Sequence, residues 1–130
     1  MKTTKEKVFV YGTLKSGNRQ RGLNTFEDSN VLLGEARTME NNYSLYDLGL
    51  YPAVSLSGEY FIAGEVWEVT PETFKRLDEI EGYPHYYDRK KINTTMGEAW
   101  IYFIENIDQF YDSKDKKIES ANSNTLSWNW

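Results

Sequence analysis

Cysteine is absent from the 130 residues, and histidine occurs only once, as His85. Without cysteine the chain has no disulfides, no thiolate metal sites and no cysteine nucleophile. A single histidine also argues against a histidine-rich metal site and against a Ser-His-Asp triad.

Positive charge and long apolar runs are also scarce. Lys and Arg number 15 against 20 Asp and Glu, which gives a net charge of −5. This balance argues against nucleic acid and anionic membranes as partners. No segment approaches the roughly 20 apolar residues of a membrane span, and residues 1–7 lack the apolar core of a signal peptide. We therefore expect a cytoplasmic protein.

Aromatic residues, by contrast, are abundant, with ten tyrosines, six phenylalanines and four tryptophans. So many rings are typical of a packed core rather than of a disordered chain. The mostly polar composition after residue 105 predicts one domain over 1–105 and a loosely attached or partly disordered tail over 106–130. We expect the tail's Trp128 and Trp130 to pack back onto the domain rather than to dock a partner.

The hydrophobic pattern predicts many strands and one convincing helix. Thr70 as cap, Pro71 at the first helical position and stops at Gly82 and Pro84 predict a helix over about 71–81. An α+β fold follows, with a curved, barrel-like mixed sheet around this one helix. Apolar and β-branched runs predict strands at about 7–11, 31–38, 53–56, 60–69, 86–94 and 98–105, with a turn at Ser57-Gly58 and a loosely alternating stretch at 43–50.

The segment Tyr11-Gly12-Thr13-Leu14-Lys15 directly follows the apolar run Val8-Phe9-Val10. An apolar run without alternation is typical of a buried strand, and Gly12 allows a turn in which backbone N–H groups face a ligand. Gly12 and Gly17 have the spacing of a phosphate-binding loop, but the following Asn18-Arg19 does not match the nucleotide signature. The loop therefore suits a carboxylate or a similar anion.

Glu81 is the candidate general acid/base. At helical spacing it shares a face with Phe74 and Leu77, so it lies on the stripe that should face the core. Burial and the helix C-terminus both raise the pKa of a carboxyl, which suits proton transfer near neutral pH. The alternative is a solvated glutamate at a frayed helix end. Asp78 could form a hydrogen bond near the same site or lie on the surface, and we expect the surface.

Glu65 lies within the strand predicted at 60–69, on the face that carries apolar neighbours. A charged residue in such a place is usually paired with Arg or Lys. We therefore expect a structural role for Glu65 rather than a catalytic one.

Taken together, these motifs resemble the gamma-glutamylcyclotransferase-like superfamily, which includes gamma-glutamylamine cyclotransferases and the plant AIG2-like proteins. The resemblance implies a small β-barrel with flanking helices and a cavity at one mouth. It also implies an intramolecular aminolysis of a γ-glutamyl group that yields 5-oxoproline and a free amine or amino acid, without metal or organic cofactor. Three blocks carry the likeness: Val10-Tyr11-Gly12-Thr13-Leu14-Lys15, Gly64-Glu65-Val66-Trp67-Glu68-Val69, and Leu77-Asp78-Glu79-Ile80-Glu81-Gly82-Tyr83-Pro84 with Tyr87-Asp88-Arg89.

The resemblance also implies roles for the matching residues. Glu81 would move the proton, and Arg89 would orient the helix end or pair with a carboxylate. The substrate, a small γ-glutamyl compound, would be held by Tyr11, Gly12, Thr13, Leu14, Tyr87 and Tyr102. The alternative on the same fold is a module that binds a small metabolite or a protein without turnover.

Overall fold

One helix and eight strands make up the named elements of the computed structural model, which describes residues 5–12, 14–15, 23, 29–105, 107 and 117–128. This confirms the α+β class, while the further short helices we expected are not among the named elements of the described part. The elements are β1 (Glu6–Val10), β2 (Val31–Arg37), β3 (Tyr43–Asp47), β4 (Pro52–Val69), α1 (Pro71–Glu81), β5 (Asp88–Thr94), β6 (Gly97–Phe103), β7 (Lys117–Ile118) and β8 (Thr125–Leu126).

Strand β4 is 18 residues long and pairs with four other strands: β1, β2 and β3 antiparallel and β8 parallel. Our prediction of a turn at Ser57-Gly58 is wrong, because both residues lie inside this strand. A side chain at position 58 would overlap the backbone of Tyr43, beside a shift of register between β3 and β4. Gly58 therefore serves a close approach of two strands rather than a chain reversal.

The sheet is open rather than a closed barrel. Its strand order is β5-β6-β1-β4-β3-β7, with β2 and β8 also paired to β4. The parallel pair of β1 and β6 makes the sheet mixed. Within the described residues Thr38, directly after β2, forms a single bridge to Thr94 of β5, and the chain then bends at Met39 and Glu40. The predicted barrel is corrected accordingly.

Helix α1 has the predicted bounds, because its signals are local. Thr70 accepts a hydrogen bond from the Thr73 N–H at 3.1 Å, and Pro71 opens the helix. Gly82 ends it in the left-handed conformation, with φ of 68°. Leu77 is fully buried against the sheet. The helix therefore delivers Glu81, its last residue, to a fixed point beside the sheet.

Residues 117–128 of the predicted tail are part of the folded unit. Strand β7 pairs with β3, and β8 pairs with β4. Leu126 and Trp128 are buried in the core, so their apolar surface holds the segment in place. Our prediction of a loose tail is wrong for these residues. Trp128 packs back as expected, whereas Trp130 lies outside the described residues.

Candidate active site

A cleft opens where β1 ends, where β4 begins and where α1 stops. Its empty volume, including solvent at the mouth, is about 390 Å³. Its lining of apolar and aromatic side chains around one carboxyl is typical of a small-molecule site. Its lining residues are Phe9, Val10, Tyr11, Gly12, Leu14, Tyr51, Pro52, Glu81, Tyr87 and Tyr102.

Glu81 supplies the ionisable carboxyl of the cleft. It is half-buried, and burial raises its pKa from 4.5 to about 7. Among the described residues no side chain or backbone group forms a hydrogen bond with its carboxyl. Such a carboxyl, unpartnered in a cleft and titrating near neutrality, can both accept and return a proton.

Three tyrosine hydroxyls around the cleft, those of Tyr11, Tyr87 and Tyr102, form hydrogen bonds within the protein. Tyr11 donates to the carbonyl of Tyr102 at 2.6 Å and accepts from the Val54 N–H at 3.1 Å. Tyr87 donates to the carbonyl of Pro52 at 2.7 Å. Burial raises the pKa of all three phenols far above the usual range, so they stay protonated at any pH at which the protein would work.

Gly12 is where the loop after β1 comes against Pro52. A Cβ at position 12 would lie 2.7 Å from two atoms of the Pro52 ring, closer than real contacts allow. The Gly12 carbonyl accepts from the Lys15 N–H at 3.1 Å, which closes a turn. Leu14 is buried and also lines the cleft, whereas Thr13 lies outside the described residues.

Tyr102 is tied to helix α1 by Asp78. Its hydroxyl donates to Asp78 Oδ1 at 2.6 Å, and the Arg89 Nε lies 3.4 Å from the same oxygen. Asp78 is therefore part of the site's support, and our prediction that it lies on the surface is wrong. The signal was present in the sequence, because Asp78 and Glu81 are three residues apart and share a helix face.

Arg89 lies behind the cleft rather than in its lining. Its guanidinium carbon lies 4.4 Å from the ring centres of Phe74 and Tyr83 and 4.6 Å from that of Trp100. Cation–π attraction to these rings partly replaces hydration, since Nε and Nη1 have no hydrogen-bond partner among the described residues. The position of Arg89 beside Asp78 fits the orienting role expected for it.

Glu65 lies on β4 outside the cleft lining. It is buried, and Oε1 accepts a hydrogen bond from the Trp67 indole N–H at 3.1 Å. The half-buried Lys15 interacts electrostatically with Glu65. Burial lowers the pKa of Lys15, and the negative charges of Glu65 and Glu35 partly oppose that effect. These contacts fit the structural role that we expect for Glu65.

Sequence reasoning assigned no role to four of the lining residues: Phe9, Val10, Tyr51 and Pro52. The Tyr51 ring lies 6.5 Å from those of Tyr86 and Tyr87, and its hydroxyl is 2.9 Å from that of Tyr86. Local periodicity could not show that Tyr51 and Pro52 face the end of α1.

Two further findings concern the described residues as a whole. They contain no group of three or more His, Cys, Asp and Glu side chains arranged to hold a metal ion. None of their helices has the length and apolar character needed to cross a bilayer.

Comparison with known proteins gives the family. The family model described as "Gamma-glutamyl cyclotransferase, AIG2-like" matches residues 8–128. A Vibrio cholerae protein named as a candidate gamma-glutamylcyclotransferase is 38% identical over 108 residues, which cover 83% of this chain and 90% of that protein. The gamma-glutamylcyclotransferase family protein YtfP of Escherichia coli is 33% identical over 99 residues, 76% of this chain and 82% of that protein.

Solved structures agree. The solution structure of YtfP from Escherichia coli gives a TM-score of 0.61 at 32% identity, covering 92% of this chain and 95% of that chain. A crystal structure of an uncharacterized Pyrococcus horikoshii protein gives 0.65 at 28% identity, covering 87% and 85%. The resemblance read from the motifs is thus confirmed, and the chain belongs to the AIG2-like gamma-glutamyl cyclotransferase family as a cyclotransferase-like enzyme.

Proposed function

We propose that the protein cyclises a small γ-glutamyl-amine or γ-glutamyl-amino acid to 5-oxoproline and releases the amine or amino acid, with Glu81 as general acid/base. The carrying observation is a half-buried Glu81 with a pKa of about 7, placed in a cleft lined by aromatic side chains and by the loop after β1. Family membership supports the reaction class. The identity of the released amine does not enter the proposal.

The proton inventory of this reaction suits a single acid/base. The substrate's α-ammonium gives one proton to the Glu81 carboxylate, and the neutral amine attacks the γ-carbonyl carbon to form the new C–N bond. A second proton leaves the ring nitrogen as the tetrahedral intermediate collapses. The old C–N bond breaks, and both protons end on the leaving nitrogen, which departs as an ammonium. Glu81 returns to its carboxylate form.

Little further catalytic equipment is required. Amine and carbonyl already belong to one molecule, so the enzyme mainly has to fold the substrate and remove the proton that blocks the nucleophile. For the substrate's α-carboxylate, the family resemblance assigns the loop after β1, with backbone N–H groups at Gly12, Thr13 and Leu14. Tyr11 braces this loop through its hydrogen bonds to Tyr102 and Val54.

The test is release of 5-oxoproline from a panel of γ-glutamyl-amines, γ-glutamyl-amino acids and glutathione. Wild-type protein is compared with Glu81→Gln and with Glu79→Gln, a matched change on the exposed side of the same helix. Loss of a general base typically lowers the rate by about 10²–10⁴-fold. We expect that loss for Glu81→Gln and nearly unchanged turnover for Glu79→Gln.

The outcomes separate the two functions allowed by the fold. Turnover that is lost in a folded Glu81→Gln protein, checked by circular dichroism, identifies the substrate class and agrees with the proposal. Saturable binding of γ-glutamyl ligands by the wild type, with no 5-oxoproline formed from any of them, contradicts it and indicates a binding protein on an enzyme scaffold.

A further inference from the structure

The hydroxyl protons of Tyr11, Tyr87 and Tyr102 are all donated to acceptors of the protein itself. Tyr87 donates to the Pro52 carbonyl, and Tyr11 donates to the Tyr102 carbonyl. A carbonyl oxygen cannot donate, so the direction of each bond is fixed by the partner's chemistry. Tyr102 donates to Asp78, which faces the Arg89 guanidinium and is therefore the acceptor. The pattern holds without any assumption about hydrogen positions.

What remains on Tyr87 and Tyr102 is acceptor capacity. A hydroxyl oxygen keeps lone pairs after it has donated its proton. Among the described residues nothing donates to either oxygen, whereas Tyr11 already accepts from Val54. Both phenols line the same cleft as Glu81, and the Glu81 charge raises the pKa of each of them, after burial. Apart from Tyr51, whose hydroxyl pairs with that of Tyr86, the cleft presents three side-chain acceptors: the phenol oxygens of Tyr87 and Tyr102 and the Glu81 carboxylate.

An α-ammonium offers three N–H donors, which matches this set. We propose that Tyr87 and Tyr102 accept hydrogen bonds from the substrate's α-ammonium beside Glu81, and that Asp78 is the positioning residue that holds Tyr102 in the acceptor state. The inference rests on the proposed function. After Glu81 takes one proton, the amine keeps two N–H groups for the two phenol oxygens, so its contacts survive the proton transfer.

The contact between Asp78 and Tyr102 explains why Asp78 is the positioning residue. Without its carboxylate, the Tyr102 hydroxyl could rotate and donate into the cleft, where it would oppose an ammonium rather than bind it. The carboxylate is held in turn by Arg89, which is fixed among the rings of Phe74, Tyr83 and Trp100. The three rings thus position Arg89, Arg89 positions Asp78, and Asp78 orients the Tyr102 hydroxyl toward its role in substrate binding.

The first experiment measures binding to Glu81→Gln, which keeps an acceptor oxygen but cannot act as base. The probes are γ-glutamylmethylamide and the same molecule without its α-amine, glutaric acid monomethylamide. A hydrogen bond to a charged group is worth about tenfold or more in affinity. We expect the amine-bearing probe to bind about tenfold or more tightly, and Tyr87→Phe or Tyr102→Phe added to Glu81→Gln to reduce that ratio.

Tyr60→Phe is the matched control, because its hydroxyl donates to the Ser120 carbonyl at 3.3 Å, away from the cleft. Equal binding of the two probes, or binding of neither, overturns the inference, as does a ratio that the cleft tyrosine variants leave unchanged. Wild-type turnover together with equal probe binding would leave the proposed function standing alone. Amine-dependent binding without wild-type turnover would support the ammonium site and contradict the proposed reaction.

The second experiment tests Asp78 by a double-mutant cycle on kcat/KM with Asp78→Ala and Tyr102→Phe, since alanine leaves no oxygen to accept the Tyr102 proton. If Asp78 acts through Tyr102, adding Asp78→Ala to Tyr102→Phe changes kcat/KM by less than about twofold, although Asp78→Ala alone costs about tenfold. Multiplicative losses would assign Asp78 a separate structural role. Should Asp78→Ala fail to fold, Tyr87→Phe and Tyr102→Phe still test the acceptor set by probe binding.

Discussion

At the scale of single residues, the site depends on one carboxyl whose surroundings change its chemistry. Glu81 takes its position from the end of α1 and its raised pKa from burial. The sequence allowed both a solvated and a buried glutamate here, since helical periodicity gives the face but not the depth. Depth depends on residues outside the helix, such as Tyr51, Tyr87 and Tyr102, which line the same cleft.

The pH dependence of kcat/KM follows from this carboxyl. The carboxylate form has to be present to accept a proton, so activity should rise with pH through about 7, the pKa of Glu81. A profile of kcat/KM for a turned-over γ-glutamyl substrate measures the midpoint of the acidic limb. A midpoint near 4.5, the value of a solvated glutamate, would contradict the burial of Glu81.

The same shift predicts how Glu81→Gln changes stability. Between 4.5 and about 7 the native state binds more protons at this site than the unfolded chain, so its stability falls as pH rises through that window. After allowance for partial exposure, the cost above neutral pH is about 2 kcal/mol. Glu81→Gln lacks this cost and should be the more stable protein above neutral pH, by about that amount.

Urea unfolding of both proteins at several pH values measures this difference. The advantage of Glu81→Gln should shrink toward zero as the pH falls below 4.5, where Glu81 is protonated in both states. Glu79→Gln controls for the loss of a helix carboxylate. A variant that is less stable than wild type at every pH would refute the assignment.

At the scale of elements, prediction succeeded where signals are local and failed where they are not. Helix α1 was predicted to the residue because Thr70, Pro71 and Gly82 act within a few positions. The turn predicted at Ser57-Gly58 was wrong because a strand interior can also use glycine for close packing against a neighbour. The neighbour, Tyr43, is distant in sequence, so a local pattern could not predict the contact.

The C-terminal segment shows the same limit and carries a prediction. Trp128 is buried, its indole donates to Asp47 Oδ1 at 3.3 Å, and its carbonyl accepts from Lys15 Nζ at 3.0 Å. It thereby connects β3 to the loop that lines the cleft. Trp128→Ala should lower the free energy of unfolding by about 3–4 kcal/mol, since it removes a large buried ring, and should raise KM by loosening the loop.

Urea unfolding and steady-state kinetics measure the two effects. Asn122→Ala is the matched control in the same segment, because Asn122 is exposed. A loss of stability below about 1 kcal/mol would show that the ring does not belong to the core. An unchanged KM together with the expected loss of stability would show that the C-terminal segment stabilises the fold without supporting the cleft.

At the scale of the whole molecule, β4 connects all parts. The buried apolar residues form two clusters. Strand β4 contributes to both, for example Val66 to one and Trp67 to the other, because successive strand residues face opposite sides of the sheet. Its pairing with β1 fixes Val10, the last residue before the loop that lines the cleft. Folding of the core and formation of the site are therefore coupled, and we expect one cooperative unfolding transition.

Gly64→Ala tests this coupling, and the sign of its effect decides the matter. By backbone propensity alone, alanine in a strand should be more stable than glycine by about 0.5–1 kcal/mol. In this protein a Cβ at position 64 would overlap the Val10 carbonyl oxygen and lie 2.9 Å from the Phe9 ring. We therefore expect destabilisation by about 3 kcal/mol and a matching rise in KM, because the strain falls on the strand that leads into the cleft. A more stable Gly64→Ala protein would mean that β1 can move away from β4 at no cost, and that the cleft is not held by their contact.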